Sequence, residues 1–173
     1  GVVCFDEGDA ALLAEYVPRP GGRLAVVPQG VEPLPAVAGE SFGLADDAFV
    51  LLLPAALRPV KRIDFPLQAL APLMQRIPAL RLIIAGGIID QDYAAIIRNM
   101  LCTAPFATWL GEVPHELMGS LYRRAGLVLN CSRSESMPNS LMEAMALGRP
   151  VLAVDIPGNR SLVSHGQTGW LYS

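Results

Sequence analysis

Two glutamates eight positions apart, Glu135 and Glu143, stand in the stretch SRSESMPNSLMEAMALGRP, which runs from Ser132 to Pro150. Pro138 lies between them, and the second is surrounded by Leu141, Met142, Ala144, Met145, Ala146 and Leu147. A carboxylate so close to a core needs partners, or its desolvation costs several kcal/mol. Pro138–Leu147 reads as a helix stopped by Gly148 and Pro150. The first amides of a helix have no partner within it and carry the positive end of its dipole. The amides of Asn139, Ser140 and Leu141 can therefore hold a phosphate. Glu135 lies in the loop just before them. Glu143 lies about a turn and a half inside, and helical side chains lean toward the N-terminus, so its carboxylate reaches back to the same spot. Its neighbours one turn earlier, Asn139 and Ser140, are polar, and those one turn later, Ala146 and Leu147, are apolar. A ligand with two adjacent hydroxyls, such as a ribose, would give Glu143 its partners. The other reading is a solvated glutamate on a short exposed stripe, with Glu135 an ordinary N-terminal carboxylate.

A second set of residues lies in LLLPAALRPVKRIDFP, where Arg58, Lys61 and Arg62 follow an apolar run. Cations at the carboxyl end of a central strand suit a diphosphate. A solvated basic loop is the alternative. Gly86-Gly87 follows another apolar run but lacks the G-x-G-x-x-G spacing of a dinucleotide fingerprint. It marks either a tight strand exit or a place where backbone at Gly86 approaches a ligand closely. Gly111-Glu112-Val113-Pro114 is a similar exit, placed where a base could stack or bond to backbone. Cys4, Cys102 and Cys131 form neither a disulfide framework nor a zinc motif and read as reduced thiols packed in a cytoplasmic protein. His115 and His165 lack metal spacing and read as surface or capping residues.

These positions need elements to hold them. Val2–Phe5, Leu24–Val27, Phe49–Leu53, Leu80–Ala85, Ala107–Leu110, Leu127–Asn130 and Val151–Val154 read as strands, most of them apolar at successive positions. Helical patterns fall at Asp9–Tyr16, Phe65–Ile77, Asp92–Leu101, Pro114–Arg124 and Pro138–Leu147. The second should be kinked by Pro72, which cannot donate to the carbonyl of Gln68. Pro28–Asp47 reads as a long connector. The alternation predicts βαβ units and a parallel, doubly wound α/β sheet, whose ligands bind beyond the carboxyl ends of the strands.

The chain has 173 residues, enough for one domain with a sizeable core. With 52% hydrophobic and 17% charged residues it is neither disordered nor fibrous. A net charge of -3 gives no electrostatic case for nucleic acid. No apolar run reaches the roughly 18 residues of a membrane span. Asp6, Glu7 and Asp9 interrupt any signal-peptide pattern.

Taken in order, the motifs resemble the C-terminal half of group 1, or family 4, retaining glycosyltransferases. Glu135-Ser136-Met137-Pro138 matches an E-G-F-P element, and Glu143 keeps the E-x7-E spacing. Ala146-Leu147-Gly148-Arg149-Pro150-Val151 matches A-x-G-x-P-V, Pro157-Gly158 a G-G or P-G turn, and Gly166-Gln167-Thr168-Gly169 matches G-x-T-G. Upstream, VVPQGVE, LRPVKR and LRLIIAGG are similar to I-P-N-G-V-D, the R-L-x-x-x-K loop and the L-x-I-x-G-x-G strand. LRPVK together with IPGN resembles the glycosyltransferase-1-domain-containing proteins in particular.

The resemblance implies a GT-B architecture, two Rossmann-like domains facing a cleft, of which this chain is one nucleotide-sugar-binding domain. The N-terminal acceptor domain and the C-terminal helices would lie outside it, and the isolated chain would be inactive without its partner domain. The resemblance assigns the donor sugar to Glu135, the ribose to Glu143 and the diphosphate to Lys61. Glu135 and Lys61 would carry the chemistry. Backbone at Met137, Pro138, Asn139 and Ser140 would face the diphosphate and sugar, with Arg58, Gly86 and Gly111 completing the donor site. No metal or other cofactor is implied, the nucleotide sugar being a substrate. There are departures. The arginine five residues before the lysine falls on Ala56, for which Arg58 is the substitute at hand. Ser136 and Met137 replace Gly-Phe, and Ser161 replaces an acidic residue. A sugar-nucleotide epimerase of the same architecture and a non-catalytic nucleotide-sugar-binding module are the rival readings.

Overall fold

Successive residues of a strand point to opposite faces, so a strand that is apolar throughout needs a layer on each side. A computed structural model, which describes residues 2–5, 7–16, 24–32, 34–35 and 42–173, has that arrangement. In chain order the elements are β1 (Val2–Cys4), α1 (Glu7–Tyr16), β2 (Leu24–Val26), β3 (Phe49–Pro54), α2 (Asp64–Leu70), β4 (Leu80–Ala85), α3 (Gln91–Leu101) and β5 (Ala107–Trp109). Then follow α4 (His115–Arg124), β6 (Leu127–Asn130), α5 (Asn139–Ala146), β7 (Val151–Val154), α6 (Pro157–Arg160) and β8 (Trp170–Tyr172).

Six strands form one parallel sheet in the order β5-β4-β3-β6-β7-β8. Leu51, Leu53, Leu82 and Ile84 pack on one face with Leu67 of α2 and Ala94 and Ile97 of α3. Val50, Leu52, Ile83 and Val128 pack on the other with Leu121 and Tyr122 of α4 and Leu141 and Ala144 of α5. Val50, Leu52, Leu82 and Ile84 are wholly buried, and each such side chain contributes about 1.5–3 kcal/mol of hydrophobic stabilisation. The fold is thus the α/β, Rossmann-like parallel sheet with helices on both faces that the sequence predicts.

The chain runs outward from β3 to β4 and β5, then returns to the other side of β3 as β6. The strand order therefore reverses between β3 and β6. Connections leaving their carboxyl ends go to opposite faces, and a crevice opens between them.

Some elements differ from expectation. Strands β1 and β2 do not join the main sheet but pair with each other in a separate parallel unit. Both are only three residues long and largely exposed. Strand β8 and the short helix α6 were not expected. The helix expected at Phe65–Ile77 divides, α2 ending at Leu70 and a 3-10 segment following over Ala71–Gln75. The change of helix type falls at Pro72, which has no N–H for the Gln68 carbonyl. The connector expected at Pro28–Asp47 forms neither helix nor strand at 28–32, 34–35 and 42–47. Its other residues, and Asp6, lie outside the described residues. Among the described residues no helix is long and apolar enough to cross a membrane.

Candidate functional site

The exit of β3 is shaped by its neighbour β4. The amide of Ala55 donates to Ala85 O at 2.8 Å and that of Leu57 to Gly87 O at 2.8 Å, prolonging the contact between the two strands. Arg58 is extended, and a 3-10 turn covers Pro59–Lys61. Arg62 closes that turn in the left-handed region, at φ 48° and ψ 48°, its amide donating to Pro59 O. Its guanidinium lies 4.9 Å from the centre of the Phe65 ring, and Phe65 stacks on Tyr172 at 5.6 Å. Arg62 is thereby engaged on the α2 side of the turn.

The exit of β6 is tied to this loop, because the amide of Arg133 donates to Val60 O at 2.9 Å. The tie brings Lys61 and Glu135 together. Lys61 Nζ lies 2.5 Å from Glu135 Oε1, with only 17% and 12% of the two side chains exposed. Asn130 Nδ2 donates to the same oxygen at 3.3 Å. Burial alone would raise the Glu135 pKa. The hydrogen bonds from Lys61, Ser132 and Asn130, with the Lys61 charge, outweigh it and hold the carboxyl below its ordinary range. Glu135 is thus an anion at neutral pH.

Helix α5 begins after Pro138, whose carbonyl accepts from the amides of Leu141 at 3.1 Å and Met142 at 3.3 Å. The Leu141 amide, counted as a phosphate donor from sequence, is therefore engaged inside the helix, and the first-turn donors are those of Asn139 and Ser140. Glu143 does find a partner. Tyr122 of α4, with no exposure, donates its hydroxyl to Glu143 Oε2 at 2.7 Å. Burial, then the Glu143 charge, pushes the Tyr122 pKa far up, so the phenol keeps its proton and remains a donor. This is how one glutamate sits in an apolar run: its carboxylate is capped from a neighbouring helix.

These groups line one crevice of about 470 Å³ at the switch between β3 and β6. Lys61, Glu135, Met137, Pro138, Asn139, Ser140 and Glu143 all face it, along with Ala56, the position where the resemblance expects an arginine. Arg58, Gly86 and Gly111 are not among its lining residues, and Arg58 is exposed. Gly86 instead donates its amide to Gly111 O at 2.7 Å and accepts from Trp109 Nε1 at 2.9 Å. A side chain at Gly86 would overlap the Ala55–Ala56 backbone, so a tight strand exit accounts for that glycine.

The remaining residues singled out from sequence lie elsewhere. His165 accepts from the Leu171 amide at 3.1 Å through Nδ1, and His115 is exposed at the start of α4. Cys131 is buried, and burial pushes its thiol up to about 11. Among the described residues no group of three or more His, Cys, Asp or Glu side chains gathers in a way that could hold a metal ion.

Gln29, Ala85, Met118 and Tyr122 also line the crevice and were not identified from sequence. For Tyr122 a signal existed. It shares a helix face with Met118 and the buried Leu121, and a tyrosine on a buried face needs a hydrogen-bond partner.

Residues 24–173 match the family described as glycosyl transferases group 1. The chain is 29% identical over 181 residues to glycosyltransferase 1 domain-containing protein 1 of Xenopus tropicalis, covering 99% of this chain and 52% of the relative. It is 32% identical over 176 residues to D-inositol 3-phosphate glycosyltransferase of Nocardia farcinica, covering 94% of this chain and 39% of that protein. It therefore spans about half or less of the length of these relatives. Among solved structures it superposes on Anabaena HepE, in complex with UDP and glucose, with a TM-score of 0.84 at 23% identity, covering 99% of this chain and 49% of that one. Sucrose-phosphate synthase from Thermosynechococcus elongatus gives 0.78 at 23%, covering 98% and 44%. At these identities the two structures speak for the fold, which is that of GT-B glycosyltransferases.

Proposed function

The chain belongs to the group 1 glycosyl transferases, and from that membership we propose that it is the donor-binding half of an enzyme moving a sugar from a nucleotide sugar to an acceptor, with retention at the anomeric carbon. The observation that carries the reading is the convergence of Lys61, Glu135, the first turn of α5 and Glu143 on one crevice at the strand-order switch. Glu143, oriented by Tyr122, would bind the ribose diol. The amides of Asn139 and Ser140 would take the diphosphate together with Lys61, and Glu135 would meet the sugar. As the sugar leaves, negative charge develops on the nucleoside diphosphate, and preformed donors aimed at it lower the barrier. The share of the chemistry supplied from a facing acceptor domain would come from the rest of the protein.

Lys61 is already paired with Glu135. An incoming diphosphate must share that ammonium, and the sugar would meet the carboxylate from which it is partly drawn away. A thermal-shift screen of the chain against UDP-, GDP- and ADP-sugars tests the proposal, since a ligand of the folded state raises the melting temperature. One base class should stabilise the chain, and that stabilisation should shrink in Glu143→Ala. No response to any of the three at millimolar concentration overturns the donor-site reading. Ala56 in the lining, with Arg58 outside it, favours the rival of a non-catalytic module. Binding by the full-length protein without any transfer would select it.

A further inference from the structure

Behind the crevice lie two buried side-chain amides that do not line it. Asn130 ends β6 with 4% exposure, and Asn159 sits in α6 with none. Asn159 Nδ2 is anchored on Val154 O at 2.8 Å and reaches Asn130 Oδ1 at 3.4 Å. That oxygen also accepts from the Ser132 amide at 3.1 Å. With two donors on its oxygen, the Asn130 amide has one orientation, and its Nδ2 faces Glu135 Oε1 at 3.3 Å. A separate feature fits α6 to the same loop. Gly158 packs so tightly on the backbone that a side chain there would overlap the carbonyls of Glu135 and Ser136.

This amide pair is a poor device for stability. Among the described residues Asn159 Oδ1 has no hydrogen-bond partner, so the pair does not gain a full set of bonds. Its effect is directional. It fixes which way Asn130 presents its N–H, and therefore one side of the carboxylate that Lys61 holds on the other.

We propose that Asn130 and Asn159 are positioning residues, which orient the Glu135 carboxylate toward the donor sugar by linking it through Asn130 to the end of β7. The proposal rests on the reading of Glu135 as the sugar contact. It divides the work: Lys61 neutralises the carboxylate, and the amides aim it.

The test compares the wild-type chain with Asn159→Leu and Asn130→Leu, using UDP and UDP-glucose as probes in calorimetry, or the corresponding pair for whichever base the thermal screen selects. Affinity for UDP should stay within about twofold, while affinity for UDP-glucose should fall by about three- to tenfold. Carbon-detected NMR titration of Glu135 supplies a readout that loss of packing would not move. Its carboxyl should titrate higher in both variants, because a hydrogen bond favouring the charged form is lost or misdirected. If the leucine variants do not fold, Asn130→Ala removes the donor without adding bulk or charge, and the Glu135 titration should again rise. A titration unmoved in folded variants overturns the proposal, as does a parallel loss of UDP and UDP-glucose affinity that tracks melting temperature. If the wild type binds no nucleotide sugar, the donor-site reading fails by itself, and the Glu135 titration still decides whether the amides hold that carboxylate.

Discussion

Lys61→Ala should destabilise the chain at neutral pH and lose that effect in acid. The pair is neither exposed nor fully buried, with 17% and 12% of its side chains accessible. Exposed pairs contribute about 0–1 kcal/mol, whereas removing one partner of a fully buried pair costs about 3–5 kcal/mol. A loss of about 2 kcal/mol lies between these limits. At roughly 2–4 °C per kcal/mol for a chain of this length, melting should fall by about 4–8 °C at pH 7. The sign with pH follows from Glu135. In the wild type its folded pKa is lowered, so its stabilisation is present above the unfolded carboxyl value of about 4.3 and is lost as pH falls through the folded value. Without Lys61 the largest lowering contribution is gone, and the mutant carboxyl takes up its proton at higher pH than in the wild type. Once the carboxyl is protonated in both proteins the ion pair no longer distinguishes them, so the wild type loses its advantage. Melting curves from pH 7.5 down to about pH 3 should show the gap closing below the unfolded carboxyl value. A gap that stays constant or widens in acid would refute the assignment of this ion pair as a structural element of the site.

Other perturbations separate the parts of the site. Gly158→Ala should lower the melting temperature by at least about 5 °C, through a backbone overlap with the Glu135 loop, whereas Gly30→Ala, which meets nothing within 4 Å among the described residues, should be silent. Tyr122→Phe removes the donor 2.7 Å from Glu143 and should cost about 1.5–3 kcal/mol of stability by chemical denaturation, with UDP affinity reduced by about three- to tenfold. Titration with a thiol reagent should label the exposed Cys102 readily in the native chain, and Cys131 only on unfolding, because burial both shields that thiol and raises its pKa to about 11.

The parts of the fold visible in the sequence are those set by long apolar runs. Phe49–Leu53, Leu80–Ala85, Leu127–Asn130 and Val151–Val154 had to be covered on two faces, and they are. Trp170–Tyr172 escaped notice because three residues carry no period, and Pro157–Arg160 because Pro-Gly signals a turn before it signals a helix. The two-stranded pairing of β1 and β2 was hidden for the opposite reason: Val2–Cys4 looks like a core strand, yet these strands are largely exposed in their own unit. At the site, the E-x7-E spacing located both carboxylates, since one helix end fixes both. What holds them was less legible. Tyr122 is 21 residues from Glu143, and Asn159 is 29 residues from Asn130. Such pairs are set by which elements become neighbours in space, and local spacing says nothing of that. Arg58 and Arg62 show the same limit. A basic loop has several cations, and only the turn geometry at Arg62 decides that Lys61 is the one at the crevice.

The central claim is that Glu143 holds a ribose at the head of α5. It is tested most directly by measuring calorimetric affinities for UDP and 2′,3′-dideoxy-UDP, or the corresponding pair for the base that the screen selects, in the wild type and in Glu143→Ala. Charge-assisted hydrogen bonds to a diol contribute about 1.5–3 kcal/mol, so the wild type should prefer the ribonucleotide by roughly ten- to a hundredfold. Glu143→Ala should bind the two within about twofold of each other. An equal preference for the ribonucleotide in both proteins would contradict the account, because the hydroxyls would then be read by some other group.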